Sequence, residues 1–183
     1  MVISEKGLCA AMSAAFKKKN TGYKVAARLS DKGVEEIVLS APGWTAIVTR
    51  ENAPRKALAL IVEHMGDLPQ TGQAFQVQDK KAQAEILSMA VPETGDTAES
   101  ITVKRTQLNY NGYQIWQRTN DQKVFMMPAQ HEDLLDSYNR QVCMTEKGVF
   151  CAQGVASRLY IQPLQVAQNE IPALHHMAKL QWV

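Results

Sequence analysis

The stretch that decides the fold runs from residue 36 to residue 66. Glu36-Ile37-Val38-Leu39-Ser40 and Trp44-Thr45-Ala46-Ile47-Val48-Thr49-Arg50 are two runs rich in apolar and β-branched residues, separated by Ala41-Pro42-Gly43. Proline presets one backbone dihedral and glycine accepts a positive φ, so the insert predicts a turn and the two runs a hairpin. The period then changes. Leu58, Ile61, Val62 and Met65 recur at helical spacing, with Asn52 placed to cap the helix, Pro54 in its first turn and Gly66 placed to end it. Upstream, Tyr23 to Ser30 reads as a further strand. Residues 23–66 are therefore strand, strand, strand, helix, and the expected class is α+β: antiparallel hairpins forming a sheet, with helices packed on one face.

Working outward, a similar order recurs at 101–138. Strands are predicted over Ile101–Gln107, Tyr113–Thr119 and Lys123–Met127, with an Asn120-Asp121 turn and a helix opening at Pro128 that carries Leu134, Leu135 and Tyr138. It recurs again at 141–182. There Gln141–Thr145 and Val149–Gln153 flank Glu146-Lys147-Gly148, Ser157–Gln162 supplies a third strand, and Asn169 is placed to cap a helix reaching Trp182. The three stretches share periodicity without residue identity, so duplication and independent hairpin-then-helix units both account for the pattern. Ahead of them, Leu8, Met12, Ala15 and Phe16 predict an amphipathic helix from Ser4 to Lys19, its terminal lysines placed where the helix dipole favours cations. Asp79–Met89 also reads as helix. Residues 92–100, Pro92-Glu93-Thr94-Gly95-Asp96-Thr97-Ala98-Glu99-Ser100, are polar and acidic. They predict a linker or long surface loop between an N-terminal region, 1–91, and a C-terminal region, 101–183, which otherwise form one continuous domain.

A chain of 183 residues, 45% hydrophobic and 21% charged, has the composition of a folded protein and needs neither metal nor disulfide to build a core. The first residues lack the basic and apolar segments of a secretory signal, and no apolar run approaches the roughly 20 residues that span a bilayer. A cytoplasmic protein with no membrane partner is expected, its three cysteines reduced. Net charge is +2 but uneven: residues 1–32 hold seven Lys/Arg against Glu5 and Asp31, or +5, leaving −3 for the remainder.

Spacings that enforce chemistry are missing: there is no phosphate-cradling glycine loop, dinucleotide fingerprint, His-Glu-x-x-His or Gly-x-Ser-x-Gly. Catalytic residues, metal ligands and cofactors are accordingly expected to be none. Cys143 and Cys151 are symmetric about Lys147, so they face each other across neighbouring strands, either as small buried hydrophobes or as two thiols open to a metal or oxidant. His175 and His176 lie on the last predicted helix, about 100° apart around its axis and unsuited to chelating one ion together. His131-Glu132-Asp133 starts a helix, where carboxylates suit the positive dipole end. Trp44, Trp116 and Trp182 read as core anchors.

The N-terminal region interleaves Phe16-Lys17-Lys18-Lys19-Asn20 with Tyr23, Lys24 and Arg28, cations for phosphates and aromatics for base stacking. A solvated helix end accounts for the same residues, and the sequence pI of 8.4 is below that of dedicated nucleic-acid binders. The expected function is a non-catalytic intracellular binding or adaptor protein engaging another macromolecule. The alternatives are a nucleic-acid-binding protein using Lys17, Lys18, Lys19, Tyr23, Lys24 and Arg28, and an enzyme pairing Cys143 or Cys151 with a histidine.

Overall fold

A computed structural model describes residues 1–17, 22–76, 101–138 and 141–164. The described strands are β1 (Lys24–Leu29), β2 (Glu35–Ala41), β3 (Trp44–Thr49), β4 (Ala74–Gln76), β5 (Ile101–Tyr110), β6 (Tyr113–Arg118), β7 (Val124–Pro128), β8 (Val142–Met144), β9 (Phe150–Gln153) and β10 (Ser157–Ile161). They form one ten-stranded sheet in the order β4-β1-β2-β3-β10-β9-β8-β5-β6-β7, with every pairing antiparallel. The helices among the described residues are α1 (Glu5–Lys17), α2 (Arg55–Met65) and the short α3 (Ala129–Glu132). The protein is α+β, as the hairpin-and-helix pattern predicts.

The deciding stretch folds as its residues dictate. Ala41 pairs with Trp44, so Pro42-Gly43 is a two-residue turn, and Gly43 takes the positive φ of 91° that the turn requires. Gly66 ends α2 in the left-handed conformation, its N–H bonding the carbonyl of Val62. Asn52 does not cap α2, however. It sits in a 3-10 turn, Arg50–Asn52, and gives its side-chain amide to Thr49 Oγ1, while Pro54 occupies the cap position. The helix expected to open at Pro128 is also shorter. Its carboxylate Glu132 is drawn to Arg105 at 2.5 Å, and after it the chain bends so that Ile3 bridges to Leu135 and Ser4 N–H bonds Leu134 O. Tyr138, expected on that helix, is exposed. The expected helices at Asp79–Met89 and Asn169–Trp182, and the 92–100 segment, lie outside the described residues. The sheet holds the three expected three-strand groups, β1–β3, β5–β7 and β8–β10, with β4 added at one edge. A threefold strand-strand-strand-helix repeat is not established, since the helix after β7 is a single short turn and the one expected after β10 lies outside the described residues.

One apolar core joins α1 (Leu8, Met12, Ala15) and α2 (Ala57, Ile61) to alternate residues of the strands, among them Val25, Ala27, Leu39, Trp44, Ala46, Trp116 and Phe150. Alternation along each strand sends these side chains to one face, where both long helices lie. The chain leaving β10 then returns to the sheet's far edge, where Leu164 N–H bonds Met126 O on β7 at 2.9 Å. Backbone groups at that edge thus find a partner within the chain.

Candidate functional site

Gly7, Ala10, Ala11, Ala14 and Ala15 recur along α1 at helical spacing and give it one face of small residues. That face lies against the β2–β3 turn and the α3 segment. At Gly7 the approach is so close that a Cβ would stand 1.8 Å from the carbonyl oxygen of Asp133. Further along the helix the small side chains fail to fill the gap, leaving a cavity of about 220 Å³ walled by Ala11, Ala14, Pro42, Trp44, Gln130 and His131. A second, more polar hollow of about 390 Å³ adjoins it at Gly7, Ala10 and Asp133 and reaches Ser4, Lys6, Arg105 and Glu132. The Arg105–Glu132 ion pair fixes α3 to β5 and so holds the cavity wall in place.

His131 gives this cleft its chemistry. Burial pushes its imidazole down to about 4, so the ring is neutral near pH 7. Its Nδ1 is sealed from solvent with no hydrogen-bond partner. Gly43 closes over the ring, and a Cβ there would stand 2.7 Å from Cε1. A buried N–H with no acceptor is rarer than an under-satisfied lone pair, which favours the tautomer with the proton on Nε2. The cleft therefore combines largely apolar walls with three polar side chains, the neutral His131 ring, the Gln130 amide and the Asp133 carboxylate.

The residues singled out for nucleic acid are placed as follows. Lys17 ends α1 and is exposed, and Lys24 opens β1, half-buried. Lys18 and Lys19 lie outside the described residues. Tyr23 is engaged within the chain: its ring meets Phe16 edge-on at 4.8 Å and its hydroxyl lies 3.1 Å from His64 Nε2. Phe16 and His64 stack at 4.5 Å, and burial pushes the Tyr23 hydroxyl up. Arg28 bonds Glu36 at 3.2 Å, and Arg158 reaches the same carboxylate at 2.7 Å from β10. Glu36, only 6% exposed, thus meets two guanidinium groups, and the Arg28 charge is matched before any phosphate arrives.

Cys143 and Cys151 are direct partners across β8 and β9, as their symmetry about Lys147 predicts. Burial, with Cys143 adding in the same direction, pushes the Cys151 thiol up to about 11, and burial also raises Cys9. These thiols move away from the thiolate state that a nucleophile needs. Among the described histidines, the His64 ring meets Tyr23 and the Nδ1 of the His131 ring meets no hydrogen-bond partner. Trp44 and Trp116 are buried at 4% and 1% exposure, as core anchors, although the Trp116 indole N–H lacks the expected acceptor; Trp182, His175 and His176 lie outside the described residues. No three His, Cys, Asp or Glu among the described residues cluster to hold a metal, and no described helix is long and apolar enough to cross a membrane. The cleft itself escapes sequence reading, because close approach at Gly7 and Gly43 depends on which elements meet. No protein-family model matches the chain and no curated protein resembles it, so its cleft stands on geometry alone.

Proposed function

We propose that this protein is a non-catalytic binding protein that engages another protein, receiving one of the partner's side chains in the cleft between α1, the β2–β3 turn and α3. The observation that carries this reading is the neutral, half-buried His131 at a cavity of about 220 Å³, the size of a single side chain. Pockets of this kind, apolar with few polar groups, are where binding energy concentrates. The neutral His131 ring and the Gln130 amide offer hydrogen bonds among largely apolar walls, and with the Asp133 carboxylate in the same lining they suit a side chain ending in an amide, Gln or Asn, over a carboxylate. The raised Cys151 and Cys9 thiols weigh against the alternative of a cysteine-dependent enzyme using Cys151.

Peptide display against the intact protein tests this, with Ala14→Phe as the blocking variant. Ala14 is exposed and lines the cleft, so the added ring fills the cavity without entering the core. Enriched peptides should share an amide-tipped residue and lose at least roughly tenfold in affinity for the variant, about 1.4 kcal/mol. Binding indifferent to Ala14→Phe would place the site elsewhere. In parallel, fluorescent single- and double-stranded nucleic acid is titrated at low and moderate salt. Salt-sensitive binding lost in the Lys17/Lys18/Lys19→Ala variant would replace the protein partner with a nucleic acid.

A further inference from the structure

We propose that Cys143 and Cys151 form a reversible thiol–disulfide pair, closing a bond across β8 and β9 when the protein meets a small-molecule disulfide such as oxidised glutathione. The two residues are Cα partners in an antiparallel pairing, so their side chains rise from the same face. Thr145 N–H bonds Val149 O at 2.9 Å, which sets the phase of the ladder. The 143/151 pair, two steps further along each strand, is therefore also a hydrogen-bonded pair. Such pairs hold their Cα atoms about 5.5 Å apart, within the roughly 4.4–6.8 Å that a disulfide spans. Their Cβ atoms stand nearer about 5.5 Å than the roughly 3.5–4.5 Å a relaxed disulfide prefers. Closure draws the two strands together and leaves the bond under tension, which favours its reduction. That combination describes a bond made and broken by its surroundings, in contrast to a permanent staple.

The two thiols divide the work by exposure. Cys143 is half-buried, whereas Cys151 is buried among Ile47, Val149 and Tyr160. Burial keeps Cys151 protonated, so Cys143 is the attacking sulfur. Cys143 loses its proton to solvent and its thiolate attacks one sulfur of oxidised glutathione. The S–S bond of glutathione breaks, one glutathione departs as thiolate, and a mixed disulfide forms on Cys143. Cys151 then attacks the Cys143 sulfur, its proton passing to the departing glutathione sulfur as the mixed S–S bond breaks, and the second glutathione leaves as a thiol. The two protein thiols are oxidised by two electrons in all, and one glutathione disulfide is reduced to two thiols.

The test uses the intact protein incubated with oxidised glutathione, acid-quenched, alkylated under denaturing conditions and cut with trypsin. Trypsin cleaves after Lys147, between the two cysteines, so only a disulfide can hold peptides 141–147 and 148–158 together. The expected result is an intact mass lower by two hydrogens, those two peptides linked, Cys9 alkylated, and full reversal by dithiothreitol. In Cys151→Ala, which keeps a small apolar side chain in the buried position, glutathione should remain trapped on Cys143. Glutathione held stably on Cys143 in the unsubstituted protein, alkylation of all three cysteines, or a linkage that dithiothreitol leaves intact would each overturn the proposal.

Discussion

His131 ties the cleft to the protein's response to acid. Its folded-state value, pushed down to about 4 by burial, lies below the 6.5 of a free imidazole. On acidification the unfolded chain therefore takes up the proton first. The histidine leaves stability untouched above about 6.5 and lowers it progressively as pH falls to about 4. Allowing for the ring's partial exposure, the loss is on the order of 2 kcal/mol. Urea melts of wild type and His131→Phe at pH 7 and pH 4.5 should show a smaller acid loss in the variant; parallel losses would assign the acid sensitivity to other groups. Glu36 makes a second residue-scale case, a carboxylate at 6% exposure shared by Arg28 and Arg158. Glu36→Ala leaves two guanidinium groups facing each other without their anion and should cost about 2–4 kcal/mol in a denaturant melt. A cost below about 0.5 kcal/mol would show that the pair is solvated like an ordinary surface ion pair.

Among the elements, α1 is the most constrained by its neighbours. Its small-residue face closes on the chain after α3, and at Gly7 the contact is with backbone, which cannot swing aside. Gly7→Ala should therefore cost more than about 3 kcal/mol despite alanine's better helix propensity. Gly66→Ala, at a positive φ of 87° with open space around it, should cost only about 1 kcal/mol. Circular-dichroism melts of both variants check the order, and a harmless Gly7→Ala would mean that α1 stands further off. The β5–β6 hairpin shows a different accommodation. Its register shifts between Arg105 and Asn109, and Gln114 Nε2 bonds the carbonyls of Thr106 and Leu108 that the irregularity exposes. Asn111-Gly112 closes the hairpin with both residues at positive φ, the type I′ arrangement this dipeptide favours. That dipeptide is readable in the sequence as a turn, and it is what carries β5 on to Tyr110, beyond the strand end expected at Gln107.

At the scale of the whole molecule, β3 and β10 pair across five residue positions, Trp44↔Ile161 to Val48↔Ser157, and the core draws on both flanks of that seam. A single proteolytic cut between residues 77 and 100 should leave two fragments that still elute together in native gel filtration. They should separate only when denaturant breaks the pairing and exposes the shared core. Separation under native conditions would show that each fragment folds apart from the other.

The sequence by itself determined the α+β class, the β1–β2–β3 array, the Pro42-Gly43 turn, the Gly66 helix stop and the opposition of Cys143 to Cys151. Each follows from local periodicity, turn chemistry or symmetry about a loop, which neighbouring residues carry without reference to the rest of the chain. Tertiary structure decided the remainder: the order in which strands join, β4 at the edge, the capture of Glu132 by Arg105 that shortens α3, and the pairing of Arg28 and Arg158 on one carboxylate. It also decided the cleft, since Ala14, Trp44 and His131 are far apart in the chain and share a cavity only because α1 packs against a hairpin and a bend that the sheet brings to it. Contacts between such distant residues depend on the global packing of apolar faces, and no local pattern records them.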